Sequence, residues 1–298
     1  MTTTNEQWSA PVAQWRSRGT YRELHGYDVF TIDVPAASEE AEPLLVLHGF
    51  PTSSFDFRPV VDRLAQRRRV LLLDLVGFGF SAKPDMRYSI EMHADVVMAF
   101  AADIGLSQFA LLTHDMGDTV GGELLARHDE GRWPVEVVRR VLTNGSIYIE
   151  DAHLSDGQKL LLSLPDQALD PPGIIDVAAL TAALRATLSP DAQVDESELV
   201  GACELIAHDN GHLLLPRLIR YIEDRRQNQA RYTGAIETHP SPLAVVWGLD
   251  DPIAVSSMTT RLQRARPDAA LHLLAGVGHY PMIESPDTFA AAIEAAIG

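Results

Sequence analysis

Short apolar runs separated by turn residues dominate the chain. "PLLVLHG" (43–49), "RVLLLDL" (69–75), "FALLTHD" (109–115), "RRVLTNG" (139–145), "PLAVVWG" (242–248) and "ALHLLAG" (270–276) each carry a continuous apolar core. Runs of this kind fit strands buried on both faces, as in a parallel sheet covered by helices. "RELHGYDVFTIDV" near the N-terminus reads as two more strands with a hairpin turn at His25–Gly26. Between the runs the period changes to that of a helix. In "SIEMHADVVMAFAADIG", Ile90, Ala94, Val97, Met98, Ala101 and Ile104 share a face, Ser89 is a candidate N-cap and Gly105 a stop. "GDTVGGELLAR" reads as another helix, with Gly117, Gly121 and Gly122 placed for close approach to the sheet. This alternation predicts an open, mostly parallel α/β sheet.

One region departs from the pattern. Residues 147–236 read as mostly helical, with no strand run until the apolar pattern resumes at Pro242. The organisation expected is therefore a core of residues 1–146 and 237–298, with a helical cap of 147–236 inserted into it. The 298-residue length accommodates this arrangement.

Composition narrows the function classes. A net charge of −17 argues against a nucleic-acid partner or an anionic membrane surface. Cys203 is the only cysteine, so no intrachain disulfide forms, which fits a reducing compartment. The first residues lack the basic and apolar regions of a signal peptide, and no apolar run is long enough to span a bilayer. A cytoplasmic protein acting on a small molecule is expected.

The chemistry begins at "LLTHDMGDTV" (111–120), where a buried-looking strand ends in Asp115 and a glycine-containing helix follows. That layout is a nucleophile elbow, whose sharp turn needs small neighbours and exposes the reactive side chain above the sheet. In the pattern G-x-S-x-G, Thr113 holds the first glycine position, Asp115 the serine position and Gly117 the last glycine. Asp115 is thus the candidate nucleophile, the alternative being a simple helix N-cap. His279, on the glycine-flanked loop "AGVGHYP", is the candidate base. In "WGLDDP" the spacing from Gly248 selects Asp251 to orient the imidazole, with Asp250 the second choice. "HGFP" (48–51) follows an early strand, so the amides of Phe50 and Met116 are the candidate oxyanion donors, with His48 bracing the turn. Asp118 is expected either to cap the helix or to tune Asp115. "HDNGH" (208–212) has the spacing of a metal pair but reads as a turn, so neither a metal nor a cofactor is expected.

"HGFP", "DLVGFGFSAKP", "HDMGD", "WGLDDP" and "GHYP" together resemble the α/β-hydrolase fold enzymes that use an aspartate nucleophile, the epoxide hydrolases and haloalkane dehalogenases. "HGFPTSSFDF", "HDMGDTV", "ELLAR" and "LIRYIEDRR" look closer to the mesoderm-specific transcript proteins, an epoxide-hydrolase-like branch. The resemblance implies a mostly parallel eight-stranded sheet flanked by helices, with an inserted helical cap. It also implies hydrolysis through an aspartyl ester without a cofactor. In dehalogenases of this kind a tryptophan follows the nucleophile; here Met116 stands there and Phe50 follows "HG", and neither side chain can donate to halide. An epoxide hydrolase is therefore expected first, a haloalkane dehalogenase second, and a catalytically silent ligand-binding or regulatory protein third. The resemblance further implies that cap tyrosines polarise the epoxide. Tyr232 lies nearest the family's C-terminal cap tyrosine, Tyr221 is the next candidate, and Tyr148 is a looser match in substrate binding. A pocket between sheet and cap, lined by Phe50, Met116, Leu161, Leu162 and Leu164, would take a small apolar substrate.

Overall fold

The computed structural model describes residues 8–38, 41–170 and 176–298. Eight strands form one sheet: β1 (Gly19–Leu24), β2 (Tyr27–Val34), β3 (Leu44–Leu47), β4 (Val70–Leu73), β5 (Gln108–His114), β6 (Glu136–Thr143), β7 (Leu243–Gly248) and β8 (Ala270–Leu274). Their order across the sheet is β1-β2-β4-β3-β5-β6-β7-β8. β1 and β2 pair antiparallel, as do β2 and β4, and the remaining neighbours are parallel. The hairpin turn falls at His25 and Gly26, both at positive φ, so the two-residue turn carries the twist that suits paired strands.

Every residue of β3, β4 and β7 is buried, as continuous apolar runs require when helices cover both faces. β8 differs from the expectation. It is the sheet's edge, and Leu273 stands 44% exposed. The helix Ile90–Asp103 starts where the capping residue predicts, with the Ser89 hydroxyl accepting the Met92 amide. Gly105, at φ +66°, ends it.

Between β6 and β7 the described residues contain helices and no strand: Asp156–Ser163, Val177–Arg185, Glu196–Ala207, Leu215–Leu218 and Tyr221–Thr238. The last packs along Met116–Asp129, the helix that follows β5. Gly122 permits that approach, since a Cβ there would lie 2.5 Å from the Tyr232 carbonyl oxygen. This glycine serves helix–helix packing, whereas Gly121 faces Thr113 on the sheet. Among the described residues no helix is long and apolar enough to cross a membrane.

Candidate active site

β5 delivers Asp115 to the carboxyl end of the sheet, where α/β folds build their sites. Asp115 takes φ +49° and ψ −112°, a conformation costly for any residue with a Cβ. Strand and helix both enforce it. The Asp115 amide donates to the Thr143 carbonyl at 3.3 Å, and its carbonyl accepts from the Asp118 amide at 3.2 Å. The turn also needs bare glycines. A Cβ on Gly117 would lie 2.6 Å from the Leu47 carbonyl oxygen, and one on Gly49 would lie 2.4 Å from the Asp115 Cβ. The Asp115 side chain does not cap its helix. Instead Oδ2 accepts the Phe50 amide at 2.9 Å, leaving Oδ1 as the oxygen aimed elsewhere. Met116 contributes the first amide of the helix.

His279 and Asp251 meet as the spacing predicts. His279 Nδ1–H donates to Asp251 Oδ2 at 2.7 Å, which leaves Nε2 as the free basic nitrogen. Asp251 is fixed in turn: Oδ2 accepts Asn144 Nδ2 at 2.8 Å, and Oδ1 accepts the amides of Ile253 and Ala254 at 2.7 and 3.0 Å. Asp250 is exposed and plays no such part. Burial disfavours the charged imidazolium, but the Asp251 carboxylate and then Asp115 and Glu284 outweigh it, raising His279 to about 9. The raised value means the ion pair adds stability fully below about pH 6.5, and that this contribution disappears as the pH rises to about 9. In an NMR titration of the His279 ring, Asp251→Asn is expected to bring the midpoint below 6.5, where burial dominates. Asp115→Asn should give a smaller fall, and no change in either variant would contradict this origin of the shift.

Three supports of this group are not visible as motifs. His114 Nε2–H donates to the His279 carbonyl at 2.8 Å, and burial holds its ring neutral, at about 4. Asn144, at φ +47°, ties β6 to the Asp251 loop, its Oδ1 accepting the Gly248 amide at 2.9 Å. Glu284 accepts the amides of Gly278 and Ser189, both at 2.9 Å, joining the His279 loop to the segment after helix Val177–Arg185. His48 braces its turn: Nδ1–H donates to the Gly49 carbonyl and Nε2 accepts the Leu75 amide, each at 2.9 Å. Asp118 turns inward to the sheet. It is buried, accepts the Thr113 hydroxyl, and burial drives its carboxyl well above the usual range.

A cavity of about 240 Å³ reaches this group at His279, lined by Phe50, Ile253, His279 and Tyr280 together with Leu161 and Leu184 among others. Leu162 and Leu164 do not line it. Their carbonyls accept from the Arg220 guanidinium. The Met116 side chain is wholly buried and also stands outside the lining.

The tyrosines separate cleanly. Tyr221 is buried with its ring against Phe50, centroids 5.7 Å apart, and among the described residues its hydroxyl has no hydrogen-bond partner. Burial first, and then the Asp115 charge, raise its pKa. Tyr232 is a correction to the expected order. Its hydroxyl donates to Asp224 at 2.9 Å and lines a separate polar cleft with Arg87 and Glu91. It lies eleven residues beyond Tyr221 on the same helix, about 16 Å along the axis, over Gly122 instead of Asp115. Tyr148 is likewise elsewhere, its hydroxyl donating to Glu237 at 2.6 Å and its ring covered by Arg261.

"HDNGH" forms a turn, with Asp209 and Asn210 both at positive φ. Among the described residues one trio of metal-capable groups comes together: His128, Asp129 and His239, at the opposite end of helix Met116–Asp129 from Asp115. Its two facing imidazole nitrogens are already paired with each other. His239 Nδ1 accepts the Ser241 amide at 3.2 Å, so Nε2 carries the proton and donates to His128 Nδ1 at 3.0 Å. Burial and the Arg140 guanidinium hold His239 down to about 4, so the surroundings already oppose a positive charge on the ring.

Residues 42–286 match the family described as the alpha/beta hydrolase fold. The chain is 36% identical over 287 residues to the putative hydrolase LipZ of Mycobacterium tuberculosis, covering 95% of this chain and 97% of LipZ. It is 32% identical over 292 residues to the human mesoderm-specific transcript homolog protein, covering 95% of this chain and 87% of that protein. Among solved structures, a loop variant of the haloalkane dehalogenase DbeA from Bradyrhizobium elkanii superposes with a TM-score of 0.76 at 20% identity, over 94% of this chain and 95% of that one, a likeness of fold. This chain belongs to the alpha/beta hydrolase fold family.

Proposed function

We propose that the protein opens a small apolar epoxide to a diol through an ester on Asp115. The observation that carries this reading is the Asp115 carboxylate itself. It stands where a serine nucleophile would, one oxygen held by the Phe50 amide and an Asp251–His279 pair beside it. A carboxylate attacks saturated carbon and yields an alkyl ester, which then needs a base and water. With Oδ2 on the Phe50 amide, Oδ1 attacks the epoxide carbon. The ring oxygen takes the electron pair of the breaking C–O bond and accepts a hydrogen bond from the free Tyr221 hydroxyl. His279 Nε2 then removes a proton from water as that water adds to the Asp115 carboxyl carbon. The Phe50 and Met116 amides hold the oxyanion on Oδ2. Collapse of the tetrahedral intermediate expels the ester oxygen, which takes the proton held by His279. Water's second proton passes from the Asp115 carboxyl to the former epoxide oxygen, so that the diol leaves and the Asp115 carboxylate is restored.

Electrostatics time the steps. While Asp115 is charged it favours the imidazolium. Esterification removes that charge, so His279 loses its proton more readily when a base is required. The apolar lining suits an uncharged substrate. Halide displacement is the weaker alternative, because none of the four tryptophans lines the cavity and the Trp247 ring nitrogen already donates to the Ala254 carbonyl.

The test is intact-mass analysis of His279→Gln after exposure to separate panels of epoxides and haloalkanes. An adduct equal to a whole epoxide, absent when Asp115→Asn is added, is the expected result. An alkyl adduct with loss of halide would instead move the assignment to a dehalogenase.

A further inference from the structure

His279 is anchored at three points, and they do not all belong to the sheet. Its ring is held by Asp251 after β7, and its carbonyl by His114 at the end of β5. The third anchor comes from the cap, where the Thr187 carbonyl accepts the His279 amide at 3.0 Å. Thr187 lies two residues beyond the helix Val177–Arg185. It lines the cavity itself, together with Leu180, Ala183 and Leu184 of that helix. The wall that faces the cavity and the turn that holds the base are therefore one piece of chain. Glu284 clamps this turn to the His279 loop. Its Oε2 accepts the Gly278 amide from the loop and the Ser189 amide from the turn, both at 2.9 Å. The two backbones meet so closely that a Cβ on Gly278 would lie 2.5 Å from the Ser189 nitrogen and 2.8 Å from the Thr187 oxygen.

We propose that the Thr187–Ser189 turn and Glu284 are positioning residues for His279, setting the rate at which the Asp115 ester is hydrolysed and not the rate at which it forms. The inference rests on the ester stage of the proposed function. The two stages call on His279 differently. When Asp115 Oδ1 attacks carbon, no proton passes to or from the imidazole. In hydrolysis, Nε2 must reach a water that is itself in line with the Asp115 carboxyl carbon. Asp251 fixes one ring nitrogen and His114 one backbone oxygen. Two points define an axis, and a third is needed to stop rotation about it. The bond from the His279 amide to Thr187 supplies that third point. A displacement of about 1 Å at the imidazole breaks the alignment of the water, at a cost of about 100-fold, and leaves the attack by Asp115 intact. The cap thus closes the cavity and also completes the base.

The experiment follows a single turnover by rapid quench and intact mass, reading ester formation and ester decay separately. An aryl epoxide and a primary alkyl bromide are used in parallel, since both would leave an alkyl ester on Asp115. Glu284→Ala, which opens the clamp, and Gly278→Ala, which wedges the turn away, are each expected to slow ester decay about 100-fold and to leave ester formation within about twofold of the wild type. Glu284→Gln keeps a carbonyl oxygen for the two amides and removes the charge, and it should recover most of the lost decay rate. Thermal unfolding checks that each variant is folded at the assay temperature; if Gly278→Ala is not, the two Glu284 variants decide. Equal slowing of both stages, or unchanged ester decay in folded Glu284→Ala, would overturn the positioning role. A loss in Glu284→Gln as deep as in Glu284→Ala would overturn it too, because charge and not placement would then be the cause. If neither reagent leaves an ester on the wild type or on His279→Gln, the ester reading falls and takes this inference with it. An ester that forms and decays at the wild-type rate in the variants removes this inference alone.

Discussion

Asp115→Asn is expected to lower turnover of an epoxide by roughly 10,000-fold while leaving the protein folded and able to bind substrate. The substitution is nearly isosteric, and asparagine tolerates positive φ better than most residues, so the +49° backbone and the Phe50 contact can persist. What disappears is the anionic oxygen that forms the ester. The comparison is made on kcat from steady-state diol formation, with thermal unfolding and ligand-binding measurements alongside. A residual rate within tenfold of the wild type would mean that Asp115 does not form the bond, and that His279 activates water directly on the substrate. His279→Gln should lose turnover to a similar degree but by a different route. It should retain one fast equivalent of ester formation, which Asp115→Asn cannot show.

The two variants probe the part of the site that the sequence displays most directly. Asp115, His279 and Asp251 each follow an apolar run within two residues of glycine or proline, because a reactive group projecting from a strand end needs a sharp local turn. Such constraints act over a few neighbouring residues, and they are visible without a fold. The supports of the site obey no local rule. His114 reaches the carbonyl of a residue 165 positions away, and Asn144 reaches Asp251 over 107. Only the parallel order of β5, β6 and β7 brings them together. The tyrosines show the same limit on a helix. Tyr221 and Tyr232 share a face by periodicity, yet their distance along the axis decides which one meets Asp115. β8 has the apolar composition of its neighbours, and only its place at the sheet edge leaves it partly exposed.

Arg225 is where fold and chemistry are most tightly joined, and Arg225→Met is expected to destabilise the protein by about 3 kcal/mol. The guanidinium is 1% exposed. It projects from helix Tyr221–Thr238 into the nucleophile turn, donating to Thr119 Oγ1 at 2.6 Å, the Ser146 carbonyl at 2.8 Å and the Asp115 carbonyl at 3.4 Å. Methionine fills comparable space without a donor. It leaves those acceptors without this donor inside the protein, where an unmade hydrogen bond costs the full desolvation of the group. It also removes the positive charge that partly offsets the burial of Asp118. Lysine is not expected to restore stability, since one ammonium cannot reproduce a planar guanidinium spread over three sites. Denaturant unfolding should show a lower midpoint with an unchanged slope for both variants, the signature of a less stable native state that exposes the same surface on unfolding. A shift below about 0.5 kcal/mol would mean that these bonds are replaced by water, and that the helix is held to the turn by apolar packing alone. Because the same side chain bonds to the Asp115 carbonyl, kcat should fall with stability in Arg225→Met even at temperatures where the protein is fully folded. The strained turn would then hold the nucleophile less firmly against its target carbon.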